Sequence, residues 1–211
     1  MWPGKESNVG VSRKTVQSGL ERLHPHMLFA YLCMAGILLV FTVLLAAFAG
    51  AQMYNVKFNS ATLPLAFITS TIVLLLSSGT IELACKAQKT ERYKPMIAWL
   101  ACTLCLALTF MAMQFVAWNE LQLQGIYLNG SAAGSYLYLL SGLHLLHLLG
   151  GVAFICLVMS HGVKAIVDSV AMLVYCTDKY RVLQLRLVSQ YWHFMGGIWL
   201  LVFAIFYLLV G

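Results

Sequence analysis

Charge is scarce in this sequence. Only 9% of its 211 residues are charged and 61% are hydrophobic, whereas a soluble domain carries roughly a quarter charged residues. With a mean hydropathy of +0.84, the composition excludes an ordinary soluble globule and fits an integral membrane protein. No cleavable secretion signal is expected, because the first 25 residues are polar and hold no apolar stretch, and targeting is expected to fall to the first span. The six cysteines (Cys33, Cys85, Cys102, Cys105, Cys156, Cys176) fall in or beside apolar runs or among basic segments, which argues against an extracytoplasmic disulfide framework. Cys102 and Cys105 form a Cys-x-x-Cys without a second pair and read as small packing residues. There is no glycine-rich phosphate loop, no internal repeat and no nucleophile with a base beside it. Leu139-Leu140-Ser141-Gly142 lacks the Gly-x-Ser-Gly of an intramembrane serine protease.

What is present is a set of long uncharged runs, at 23–56, 58–81, 95–119, 121–163 and 187–211. Each can hold a span of ~20 residues. They lack the alternation of a barrel strand, and backbone groups in hydrocarbon must be satisfied within the segment, so helices are expected. The reading is an all-α bundle of five transmembrane helices at about 27–50, 61–84, 96–118, 135–160 and 188–210, forming one membrane domain, 25–211, behind an N-terminal arm, 1–24. The stretch "NELQLQGIYLNGSAAGS" is too polar and glycine-rich to span and is assigned to a loop. Asn129-Gly130-Ser131 within it fits both a glycosylation sequon and turn chemistry.

Basic residues divide unevenly between the two sides. Lys5, Arg13, Lys14 and Arg22 lie in the arm, Lys86, Lys89, Arg92 and Lys94 in the second loop, and Lys164, Lys179, Arg181 and Arg186 in the fourth, against Lys57 alone in the first loop. That 12 to 1 split orients the N-terminus to the cytoplasm and the C-terminus to the periplasm. The net charge of +6 is thereby a topology signal, reinforced by anionic lipid, and calls for no nucleic acid.

The polar residues inside the spans are the candidate functional residues. On the fourth predicted helix His144 falls ~14 Å deep and His147 ~18 Å, on one stripe with Gly150 and Gly151. On the fifth, His193 falls ~10 Å from the cytoplasmic boundary, beside Trp192, Gly196 and Gly197. These residues suggest a close contact between the two helices, tightened by glycines and cross-linked by histidines. Haem or metal ligation is the competing reading, since membrane cytochromes hold haems between histidines of facing helices; but His24, His26 and His161 fall at boundaries, and a proton relay would want deep acids that are absent. Glu82, the one acid in a predicted span, is expected to pair with Lys86 or to serve as a proton-collecting group at the cytoplasmic surface. Gln114 is expected to hydrogen-bond between helices, and Trp99, Trp118, Trp192 and Trp199 to form interfacial belts or packing.

Two motifs are more specific. "GLHLLHLLGG" at 142–151 and "YWHFMGGIWLLVFAIFYLLVG" at 191–211 resemble the last two helices of subunit III of haem–copper oxidases. Further similarity runs through "TSTIVLLLSSGTIELACKAQ" at 69–88, "MAMQFVAWNELQLQGIYL" at 111–128 and "HPHMLFAYLCMAGILLVF" from His24. Around Met34 to Gly36 the acid found in many members is missing, and Gly196 stands where an Asp often follows the Trp-His-Phe. The resemblance implies a five-helix subunit of a bacterial inner-membrane oxidase, most similar to cytochrome c oxidases, with quinol oxidase or nitric oxide reductase homologues as the alternative and a stand-alone membrane cytochrome or transporter as a distant one. It implies that this chain binds no cofactor itself, haem and copper residing in partner subunits. It also implies packing on subunit I, contact with subunit II, phospholipids and a larger respiratory supercomplex, and a supporting role in proton uptake and in stability during turnover.

Overall fold

A computed structural model describes residues 25–54, 64–130 and 132–210. The arm 1–24, Lys57 and the Ser131 of the sequon lie outside the described residues. The described residues contain helices and turns and no strand. In order they are α1 (Pro25–Tyr54), α2 (Leu65–Lys89), α3 (Tyr93–Leu123), α4 (Ala132–Val167), α5 (Ser169–Thr177) and α6 (Lys179–Val210). All but α5 are long and apolar enough to cross a membrane. The protein is a multi-pass membrane protein.

The chain divides into two units, Met1–Ile37 and Leu38–Gly211. The described part of the first is the opening of α1, whose Leu28, Phe29 and Leu32 are exposed. In the second, α2 packs on α3, α3 on α4, α4 on α6 and α6 back on α2, a closed ring of four helices. The rest of α1 reaches this ring through Phe41, near the rings of His144 and His147, and Phe48, near Phe206. Lipid tails are as apolar as leucine, so what holds these helices is close packing and hydrogen bonds between them rather than escape from water.

Helix ends follow local chemistry, and they outrun the membrane. Pro64 stands just before α2 and Pro95 in the first turn of α3, where no backbone donor is lost. With 31 residues in α3 and 36 in α4, the axes are about 46 and 54 Å long against a core of ~30 Å. Much of the expected polar loop is therefore helix. α3 continues through Asn119 and Glu120, and the fourth basic segment is almost wholly taken up by the end of α4, α5 and the start of α6.

α3 ends at a glycine in the left-handed region, Gly125 (φ 79), with Gly125 N–H donating to Gln122 O at 2.9 Å and Ile126 N–H to Leu121 O at 3.0 Å. That is a Schellman cap. α2 ends the same way around Glu91, Glu91 N–H donating to Gln88 O at 3.0 Å and Arg92 N–H to Ala87 O at 2.9 Å, but Glu91 holds φ 56 with a side chain. An L side chain there is strained by about 1 kcal/mol. Glu91→Gly is expected to raise the protein's thermal midpoint in detergent, by about 1 kcal/mol of stability at most; an unchanged or lower midpoint would count against strain at this turn.

Near the α5 end of the bundle, Tyr175 packs edge-on against Tyr93 with ring centroids 5.5 Å apart, and the Arg181 guanidinium lies 6.0 Å from the Tyr175 ring. Burial pushes the Tyr175 phenol up from its usual value, against the opposing pull of Arg181.

Candidate functional site

The bundle interior is organised by α2, whose hydroxyls sit on the face turned to α3 and α6. Ser70 Oγ accepts from Gln114 Nε2 of α3 at 3.0 Å. Thr71 Oγ1 accepts from Trp199 Nε1 and Ser77 Oγ from Trp192 Nε1, both of α6 and both at 3.0 Å. Each hydroxyl spends its own proton on a carbonyl of α2: Ser70 and Thr71 on Phe67 O at 3.0 and 2.7 Å, Ser77 on Leu74 O at 2.6 Å. Thus every one of these groups both donates and accepts, as a hydroxyl in a dry interior must to be satisfied. Thr80 and Thr103 add a hydroxyl pair between α2 and α3 at 2.8 Å. The α3–α4 seam is closed by Trp118 Nε1 donating to Ser141 Oγ at 3.0 Å and Tyr138 Oη donating to Ile126 O at 2.9 Å.

The deep histidines are not brought together. His144 is fully buried and stands among rings: Trp199 at 4.9 Å, Phe110 at 5.8 Å and Phe41 at 6.4 Å between centroids. Neither of its nitrogens has a hydrogen-bond partner. His147 turns back on its own helix, Nδ1 donating to Leu143 O at 2.7 Å. His193 faces α2, with Nε2 3.9 Å from Glu82 Oε2. The expected histidine cross-link between the fourth and fifth spans is therefore absent. The buried stripe of α4 passes through His144, Leu148, Gly151 and Ile155, leaving His147 at its edge and Gly150 exposed.

The glycine contact does exist at one position. A Cβ on Gly151 would stand 3.1 Å from Tyr191 Cε1 and 3.2 Å from Trp192 Cζ3, and the hydroxyl of Tyr191 donates to His147 O at 2.8 Å. Gly196 faces Ser78 of α2, and at Gly197 a Cβ would meet nothing within 4 Å. Glu82 is matched with His193 rather than with Lys86 one turn on. Trp192 and Trp199 are interior residues, 1% and 0% exposed, while Trp99 is on the surface. Among the described residues no group of three His, Cys, Asp or Glu side chains converges as a metal site would require, and all six cysteines are free.

Comparison with known proteins adds the deciding observation: residues 27–210 match the cytochrome c oxidase subunit III family. The chain belongs to that family. A probable quinol oxidase subunit 3 of Staphylococcus aureus (strain USA300) is 30% identical over 148 residues, covering 70% of this chain and 68% of the relative. Its counterpart in Staphylococcus epidermidis is 28% identical over 140 residues, covering 66% and 64%. The match takes in every described membrane span, so the hydroxyl–indole network lies inside this subunit III and is part of its frame. Sequence reasoning missed its acceptors, Ser70, Thr71, Ser77, Thr103 and Ser141. Two tryptophans seven apart on one helix, opposite hydroxyls at 71 and 77 on another, were the only available signal.

Proposed function

We propose that this chain is the non-redox subunit III of a haem–copper terminal oxidase of aerobic respiration. It packs on subunit I, which holds haem and copper together with subunit II, and it supports proton uptake and the enzyme's durability during turnover. The observation that best supports this reading is that the deep histidines are turned to different surroundings. His147 is tied to its own helix, His144 is enclosed by aromatic rings, and the exposed His193 stands beside Glu82, 3.9 Å away, on the face toward α2. The basic split of 12 to 1 supports an N-terminus in the cytoplasm and a C-terminus in the periplasm, and the bacterial relatives support the inner membrane.

For the electron donor, the relatives' names favour quinol over the cytochrome c suggested by the first span and third loop. No residue of this chain has to read the donor, because oxidation takes place on the partner subunits.

The test is affinity purification of the chain from native membranes in mild detergent, with identification of what co-purifies, a reduced-minus-oxidised spectrum, and oxygen uptake driven in turn by quinol and by reduced cytochrome c. Haem-bearing subunit I and copper-bearing subunit II are expected to accompany the chain, with quinol as the working donor. His144→Leu, a swap of an unbonded ring for an apolar side chain, is expected to change stability by less than about 1.5 kcal/mol and to leave the haem spectrum unaltered. A chain that emerges alone with stoichiometric haem, lost in His144→Leu, would overturn the reading.

A further inference from the structure

The turn from α2 into α3 sets three charged side chains around one cavity. Glu91, Arg92 and Lys94 line a hollow of about 490 Å³, together with Pro95 of α3, Ile166 of α4 and Met172 of α5. That size falls within the range of about 300–1,000 Å³ usual for small-molecule sites. Among the described residues ion pairs form between Arg181 and Asp178 and between Glu82 and His193, and none of the three cavity charges belongs to either. All three are exposed, so their charges are available to something from outside the chain.

Position along the helices narrows what that is. The uncharged run of α3 begins at residue 95 and that of α4 ends at 163, so a cavity lined by residues 91–95 and 166 lies where hydrocarbon gives way to headgroups, a layer roughly 5–8 Å deep on each side of the core. The lining changes character at the same place, from Pro95, Ile166 and Met172 to Glu91, Arg92 and Lys94. A phospholipid carries the same two parts side by side, acyl–glycerol and charged head.

The signs of the three charges select the head. Two cations suit a phosphate. A carboxylate beside them would repel a headgroup that is only negative, but it suits one that carries an ammonium as well. Glu91 is also the residue held at φ 56, where glycine would cap α2 without strain. A side chain kept at such a backbone position points to a use for that side chain.

We propose that this cavity binds an aminophospholipid of the phosphatidylethanolamine class. Arg92 and Lys94 take the phosphate, Glu91 takes the ammonium, and Pro95, Ile166 and Met172 meet the glycerol and the upper acyl chain. The site goes beyond the function proposed above and is the same whichever donor feeds the oxidase.

The experiment uses the purified complex containing the full chain, in nanodiscs of phosphatidylethanolamine and phosphatidylglycerol in equal parts. In one preparation the first lipid carries a photoactivatable diazirine at the glycerol end of its acyl chain, in the other the second does. Adducts on this chain are located by peptide mass spectrometry, and those near Phe154, on the exposed side of α4, report bulk lipid. Relative to that reference, phosphatidylethanolamine is expected to mark residues 91–95, 166 and 172 about two- to fivefold more than phosphatidylglycerol. Glu91→Gln, which keeps the size and removes the charge, is expected to bring that ratio close to one. Arg92→Gln is expected to lower capture of both lipids there about fivefold. Equal capture of the two lipids by the parent, a preference that survives Glu91→Gln, or no adduct at the cavity while the Phe154 region is marked would overturn the assignment. Excess glycerophosphoethanolamine, the head without its chains, is expected to leave the adducts in place. Their loss would give the cavity to a soluble phosphate ester instead of a lipid.

Discussion

Trp199→Ala is expected to be the most damaging single truncation in the bundle, lowering stability by about 3–5 kcal/mol. The indole is wholly buried and lies where elements meet: its ring is 5.1 Å from Phe110 of α3, 4.9 Å from His144 of α4 and 6.1 Å from Phe67 of α2. Truncation leaves a cavity whose lining consists of side chains on separate helices, so no single adjustment can refill it. It also removes the donor to Thr71 Oγ1. Trp199→Phe separates the two losses. Thr71 still donates to Phe67 O at 2.7 Å and is not stranded, so that variant is expected to lose only the ~0.6–1.7 kcal/mol typical of an interhelical hydrogen bond in a membrane, plus a modest packing deficit. Reversible denaturation of the purified complex in mixed micelles measures both. A Trp199→Ala loss no larger than that of Trp199→Phe would mean that the ring is not the keystone of the packing.

The second large effect is expected at Gly151, where adding one methyl group should cost about 1–3 kcal/mol. The new Cβ would lie 3.1 Å from Tyr191 Cε1 and 3.2 and 3.3 Å from two atoms of Trp192. Whether such contacts are tolerable depends on the freedom of the neighbours, and both are held at their far ends: Tyr191 Oη donates to His147 O at 2.8 Å and Trp192 Nε1 to Ser77 Oγ at 3.0 Å. Neither ring can retreat without losing its bond. At Gly150 the added Cβ would meet only the Tyr191 hydroxyl oxygen, at 3.9 Å, so Gly150→Ala is expected to be close to neutral. The diagnostic comparison is Gly151→Ala in a Trp192→Phe background, where one tether is gone and the added penalty should shrink. An undiminished penalty would locate the strain elsewhere.

The spans could be read from the sequence because charge and hydropathy respond to lipid, and five uncharged runs are hard to arrange otherwise. The helix ends were not readable from the same signal. Hydropathy marks where the membrane stops, whereas Asn119 and Glu120 continue α3 because an exposed polar residue costs a helix little outside the lipid. The relative height of the two helices was also legible: Tyr191 and Trp192, next to His193 in sequence, meet His147 O and Gly151. What depth leaves open is the direction in which each residue faces. The rotation of α6 turns His193 toward α2 and Trp192 toward Gly151, so the predicted α4–α6 contact is made by a glycine and two aromatic rings while the histidine beside them points away. The hydroxyls of α2 were overlooked for a related reason. A serine in a membrane helix ordinarily satisfies itself on a carbonyl one turn back, and nothing in the local sequence distinguishes one that also receives an indole.

That double use of each hydroxyl bears on how the molecule is made. A nascent chain emerges N-terminus first, and α2 enters the bilayer three spans ahead of α6. At that stage Ser77 and Thr71 already have their protons placed on Leu74 O and Phe67 O, so these two hydroxyls can wait in lipid without an exposed donor. The indoles of Trp192 and Trp199 have no such provision within α6. They arrive after these acceptors are aligned, at two heights on the same helix, which admits α6 in one register and makes it the span that closes the ring.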